Sequence, residues 1–207
     1  MEKLLNGVVQ FKKEDFEAHK ELFQELANFQ KPHTLFIGCS DSRIVPNMIT
    51  STLPGELFVI RNIANIVPPY RIKDEYLATT SAIEYAVIVL EVENIIICGH
   101  SNCGGCNALW ADSEKLSKTP NVKKWLELFE DVKESVKKVP ESENHSAREW
   151  ITEQQNVLKQ MKHLLSYPFI REKYQKNQLN IYGWHYIIET GEVFQFNKET
   201  GSFELIK

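Results

Sequence analysis

Two short stretches carry the residues able to do chemistry: Cys98-Gly99-His100-Ser101-Asn102-Cys103-Gly104-Gly105-Cys106 and, well upstream, Cys39-Ser40-Asp41-Ser42-Arg43. Thiolate sulfur and imidazole nitrogen are the preferred donors for zinc, and a catalytic zinc site uses three protein ligands and leaves a fourth position open. Cys39, His100 and Cys103 form such a set. The His-x-x-Cys spacing lets one loop supply two ligands while Cys39 comes from the other. Asp41 and Arg43 stand two and four residues after Cys39. A guanidinium binds a carboxylate through two parallel hydrogen bonds, which would hold Asp41 ionised beside the metal. Asp41 is then either an acceptor that orients a water or, released by Arg43, a plug for the open position. Cys103 and Cys106 also spell Cys-x-x-Cys, a thiol-disulfide motif. That reading leaves Cys39, Asp41 and His100 without a role. The zinc reading leaves only Cys98 and Cys106, as small buried hydrophobes.

For the two loops to meet, the strands before them must lie side by side. Thr34 to Ile37 and Asn94 to Ile97 are short, β-branched-rich runs separated by helix-like segments, the pattern of adjacent parallel strands. Both loops then open at the carboxyl end of the sheet, where open α/β sheets bind ligands. A third strand is expected at Leu57 to Ile60, and a crossover helix from about Tyr76 to Leu90, with Ile83, Val87 and Leu90 on one face. Thr119-Pro120 reads as an N-cap with proline in the first turn. Ser146-Ala147-Arg148-Glu149 reads as a capping box ahead of a helix to about Leu165, and Tyr167-Pro168 starts another. Strands follow at Leu179 to Ile188 and Val193 to Phe196, around a turn at Glu189-Thr190-Gly191-Glu192. The predicted class is α/β: a central, mostly parallel sheet with flanking helices, an N-terminal helical arm, C-terminal helices and an edge strand. From Asp15 to Phe29, Phe16, Leu22, Phe23, Leu26 and Phe29 form a helical stripe. It either packs on the core or lies on a partner subunit, since a helix ahead of the first strand completes no crossover.

The chain of 207 residues has 43% hydrophobic and 25% charged residues, as a globular protein does. With no repeat or composition break, one domain over residues 1–207 is expected, residues 1–30 forming the arm. A net charge of −4 argues against nucleic acid as a partner. There is no apolar run of membrane-spanning length, and residues 1–7 lack the pattern of a secretory leader. A cytoplasmic location is the expectation. Four cysteines, three of them within nine residues, fit metal or redox chemistry better than a disulfide framework.

Cys-Ser-Asp-Ser-Arg at 39–43, Pro-Gly-Glu-Leu-Phe at 54–58, Arg-Asn-Ile-Ala-Asn at 61–65 and Cys-Gly-His-Ser-Asn-Cys-Gly-Gly at 98–105 together resemble the β-class carbonic anhydrases. The resemblance runs from Gln30 to Trp110 and continues more weakly to the C-terminal strands. It implies one Zn2+ per chain held by Cys39, His100 and Cys103, with the Asp41-Arg43 dyad beside it. It also implies a homodimer, often paired into larger assemblies, whose active site lies at the interface and whose N-terminal helix covers the partner. That favours the arm reading of the first helix.

The same resemblance separates two subtypes. Gln30, Phe58 and Tyr85 stand where the plant-like subtype lines its substrate pocket, to which Gly104 also belongs. Phe36 stands where the bicarbonate-regulated subtype carries a tryptophan. The expectation is therefore an open site with Asp41 held by Arg43. The implied reaction is reversible hydration of CO2 to bicarbonate and a proton, by attack of zinc-bound hydroxide. Asp41 would orient the hydroxide, Phe58 and Tyr85 would form an apolar wall, and Gln30 would donate to the developing charge. The competing functions are a carbon disulfide or carbonyl sulfide hydrolase on the same fold and a thiol-disulfide oxidoreductase using Cys103 and Cys106. His33, His163 and His185 read as structural, and no proton shuttle is evident.

Overall fold

In the computed structural model, which describes residues 1–71, 77–111 and 114–207, β1 (Thr34–Cys39) is buried at every position. That is how a strand reads when a parallel sheet is covered on both faces. Parallel partners flank β1, with β2 (Leu57–Asn62) on one side and β3 (Asn94–His100) on the other. β4 (Asn180–Tyr186) adds a fourth parallel strand beside β3. β5 (Val193–Asn197) and β6 (Ser202–Leu205) then continue the sheet antiparallel, giving the order β2-β1-β3-β4-β5-β6. The expected mostly parallel α/β sheet is present. It carries two antiparallel strands at its edge where the sequence pattern suggested one, because β6 is short and mostly exposed and so lacks a readable apolar alternation.

The first helices are α1 (Glu2–Lys13), α2 (Asp15–Ala18) and α3 (Lys20–Leu26), and none of them has a buried residue. Phe11, Phe16 and Phe23 pack on one another, with the Phe16 and Phe23 rings stacked 5.2 Å apart. Leu4, Leu5, Val8 and Val9 remain more than half exposed. No residue of these three helices joins the main core of the sheet, and the first of them begins earlier than the stripe from Asp15 suggested.

α4 (Pro46–Thr50) follows β1. α5 (Ala78–Glu84) precedes β3 and runs into a π-helical segment, Tyr85–Val89. The start of this crossover expected at Tyr76 lies outside the described residues. Between β3 and β4 come α6 (Gly104–Ala108), α7 (Pro120–Leu126), α8 (Asp131–Val136), α9 (His145–Leu164) and α10 (Pro168–Gln175). Pro120 opens α7 as expected, but the Thr119 hydroxyl donates back to the Leu116 carbonyl and does not cap the helix. At α9 the capping residue is Asn144, whose Oδ1 accepts from Ala147 N at 3.1 Å, so Ser146 lies inside the helix and the predicted capping box is not used.

The main core joins Leu35, Ile37, Ile95 and Ile97 of the sheet to Ile83 and Val87, to Val157 and Leu164 of α9, and to Ile170 of α10. Gly183 permits this close approach of α9, since a Cβ there would stand 2.6 Å from Met161 Sδ and 2.8 Å from Val157 Cγ1. Among the described residues, no helix is long and apolar enough to cross a membrane.

Candidate metal centre

Parallel pairing puts Cys39 opposite Asn62, and Gly38 opposite Cys98, so β1 and β3 end side by side. Cys39 and His100 are the last residues of their strands rather than loop residues, so both are carried by buried, hydrogen-bonded strands. Cys103 follows one turn later, at the N-terminus of α6. All three side chains are buried, and Cys39 Sγ, Cys103 Sγ and a His100 ring nitrogen lie within 4.8 Å of one another.

The donor set fits a tetrahedral metal. Cys39 Sγ and Cys103 Sγ are 4.0 Å apart; two sulfurs on one zinc at about 2.3 Å each would be about 3.8 Å apart. His100 Nδ1 lies 2.9 Å from the Ser101 carbonyl oxygen, an acceptor, so Nδ1 carries the hydrogen. That leaves Nε2 with a free lone pair, and Nε2 is buried without a hydrogen-bond partner. A buried acceptor facing two thiols without any partner of its own is what a metal would satisfy. The hydrogen bond with Cys103, reinforced by burial, pushes the Cys39 thiol up to about 12. A hydrogen bond to Cys106, again with burial, raises Cys103 as well. Without a metal both thiols therefore hold their protons at neutral pH, and a bound cation would displace them.

Asp41 sits at the rim of this cluster, its Oδ2 3.9 Å from His100 Nε2. Arg43 donates to it from Nε to Oδ1 at 2.9 Å, from Nη2 to Oδ2 at 2.8 Å and from its backbone N–H to Oδ1 at 3.0 Å. These hydrogen bonds hold the Asp41 carboxyl well below the usual carboxylate range. Arg43 Nη2 also donates to the Asn102 carbonyl, which ties the dyad to the His100 loop.

Other expected site residues fall in separate places. Phe58 and Tyr85 come together, with ring centroids 6.0 Å apart. A Cβ on Gly104 would meet nothing within 4 Å, so this position faces open space. Gly105 is the glycine that packing requires, since its Cβ would stand 2.8 Å from Ala64 Cβ and 3.2 Å from Ala64 N. Gln30 is exposed, in the segment between α3 and β1. Cys98 and Cys106 are buried.

Sequence reasoning missed two residues around the centre. Arg61 donates from Nε to the Cys39 carbonyl at 2.9 Å and from Nη2 to the Asp41 carbonyl at 2.5 Å, pinning the backbone that carries both side chains. Its place in the Arg-Asn-Ile-Ala-Asn run was the only available signal. Glu153 of α9 accepts from the Cys103 backbone N–H at 2.9 Å, and nothing in its local sequence marks it.

Comparison with known proteins gives the family. Residues 34–193 match the family model for carbonic anhydrase. A carbonic anhydrase of Helicobacter pylori is 49% identical over 203 residues, which span 97% of this chain and 92% of that protein. The solved structure of the beta-carbonic anhydrase CcaA superposes with a TM-score of 0.94 at 36% identity, covering 100% of this chain and 92% of that one. A tetrameric beta-carbonic anhydrase from Sordaria macrospora superposes with a TM-score of 0.82 at 32% identity, covering 95% and 96%.

Proposed function

Because the chain belongs to the β-class carbonic anhydrases, whose reaction is the reversible hydration of CO2, we propose that Cys39, His100 and Cys103 hold one zinc ion and that Asp41, gripped by Arg43, serves the open position beside it. The observation that carries the proposal is the buried, unpartnered His100 Nε2 facing the two sulfurs. Zinc bound there supplies the Lewis acidity that makes a reactive water available near neutral pH.

The chain's own residues do the rest. Asp41, already ionised and immobilised by Arg43, accepts a hydrogen bond from the attacking water and turns its lone pair toward the carbon of CO2. Phe58 and Tyr85 give the nonpolar substrate an apolar wall. Gly104 leaves room beside it, and Gln30 donates to the oxygen on which charge develops. Gln30 follows an arm that packs on no core of its own, which supports a homodimer in which the arm crosses to the second subunit. The tetrameric relative supports pairing of such dimers. The grip of Arg43 on Asp41, together with Phe36 at β1, supports the open, plant-like subtype. A cytoplasmic location remains our reading of the sequence. These relationships favour neither a carbon disulfide or carbonyl sulfide hydrolase nor a thiol-disulfide oxidoreductase. Bicarbonate titration of CO2 hydration tests the subtype: simple, non-cooperative inhibition is expected, and steep cooperative inhibition would contradict it.

A further inference from the structure

Glu153 is a buried carboxylate, 2% exposed, on the face of α9 that lies against the cysteine loop. Its two oxygens serve two different elements. Oε1 accepts from the Cys103 backbone N–H at 2.9 Å, and Oε2 is 3.0 Å from Nε2 of His185, which is itself fully buried on β4. A carboxylate only accepts, so His185 presents its hydrogen at Nε2. The other ring nitrogen, Nδ1, has no partner. In this tautomer it is a bare lone pair, so no buried N–H is orphaned. The edge-on ring of Trp150, with its centroid 4.7 Å away, holds the imidazole in place.

We propose that Glu153 is a positioning residue for the metal centre: clamped by His185, it fixes the backbone of Cys103 and thereby the direction of the Cys103 thiolate. The cysteine loop is held from the Cys39 side by Arg43, which donates to the Asn102 carbonyl. Ser101 ties it to the end of β4, donating from its N–H to the Tyr186 carbonyl and accepting at Oγ from the Ile188 N–H, and Glu153 is the anchor that acts at the ligand itself. Without the carboxylate, the Cys103 N–H loses its buried acceptor and the start of α6 is free to rotate, so the sulfur no longer meets His100 Nε2 at a common point. Groups of this kind, which orient a ligand without touching the metal, typically contribute about 10–100-fold to metal affinity.

The inference rests on Cys103 being a ligand, so the test carries a control for that assignment. Zinc affinity is measured by competition with a chromophoric chelator, and thiolate geometry by the sulfur-to-cobalt charge-transfer bands of the Co2+-substituted protein. The variants are Glu153→Ala, Glu153→Asp, Glu153→Gln and Cys103→Ser. Glu153→Ala and Glu153→Asp should weaken zinc binding about 10–100-fold and alter the cobalt bands. Glu153→Gln keeps an acceptor for Cys103 while forcing His185 into the other tautomer. It should restore most of the affinity and wild-type cobalt bands even though its thermal midpoint falls, a split that a merely structural role would not produce. If Glu153→Ala does not fold, Glu153→Asp carries the test. Wild-type affinity and bands in Glu153→Asp, or an affinity loss in Glu153→Gln equal to that in Glu153→Ala, would overturn the inference. Retention of zinc by Cys103→Ser would instead overturn the ligand assignment beneath it.

Discussion

Arg43 holds Asp41 through two parallel hydrogen bonds, Nε to Oδ1 at 2.9 Å and Nη2 to Oδ2 at 2.8 Å, and the gripped carboxylate stands 3.9 Å from His100 Nε2. In the proposed function, this geometry would let Asp41 serve a water at the metal and would restrain it from becoming a ligand itself. Arg43→Ala should leave zinc bound and lower CO2 hydration by about 100-fold, the scale on which misplacement by an ångström costs rate. Arg43→Lys should also be impaired, because an ammonium cannot form the fork. The hydrogen bonds from Arg43 set the pH behaviour as well. With its folded pKa depressed, Asp41 contributes stability that is present above its unfolded value of about 3.9 and is lost only as pH falls toward the lower folded value. Wild-type rate profiles should show no limb from Asp41 in mild acid, whereas Arg43→Ala should bring one into that range. Stopped-flow rates against pH, with zinc content measured in parallel, check both points.

Cys103 and Cys106 are neighbours to which the proposed function gives different tasks. Cys103 faces Cys39 and His100, whereas Cys106 Sγ lies 3.6 Å from Asn156 Nδ2 within an apolar cluster. Cys103→Ser should lose zinc and activity together, and Cys106→Ser should keep both. Loss of activity in Cys106→Ser with zinc still bound would bring back the thiol-disulfide reading.

The hydrogen bond with Cys103 keeps the Cys39 thiol protonated in the metal-free chain, the hydrogen bond with Cys106 does the same for Cys103, and burial reinforces both. Zinc uptake near pH 8 should therefore release about two protons per site, and apparent affinity should change by about 100-fold per pH unit, tighter as pH rises. A dye-reported titration in dilute buffer measures the release. No proton release would contradict dithiolate ligation.

Gly105 lies where α6 crosses the turn at Ile63–Asn65. A methyl group there would press on Ala64, including its backbone nitrogen. Gly105→Ala should lower unfolding free energy by about 1–3 kcal/mol, the usual range for overpacking. Gly104→Ala, with open space around it, should fold normally and alter CO2 kinetics if it lines the pocket. Urea denaturation of the two variants separates these effects.

The site was legible in the sequence to the extent that its chemistry depends on residue type and local spacing. Cys39, Asp41 and Arg43 form one readable run and His100 and Cys103 another, and the apolar runs before them imply the parallel strands that bring them together. Residues acting through tertiary contacts were not legible. Glu153 lies 50 positions from Cys103, and α9 places it there only once the sheet exists. Arg61 likewise acts through backbone carbonyls, for which no side-chain pattern is required. The cap of α9 was misplaced because Asn144 and Ser146 are both short polar residues and only geometry decides which one accepts. The extra edge strand and the start of the arm were missed for a related reason. Neither buries a continuous face in its own chain, so neither leaves a strong core pattern.

The central claim is that Cys39, His100 and Cys103 hold the zinc on which CO2 hydration depends. Stopped-flow CO2 hydration on purified chain of measured metal content tests it most directly. Activity should rise in proportion to bound zinc up to one ion per chain and be absent from Cys103→Ser. Full activity in zinc-free protein would contradict the account.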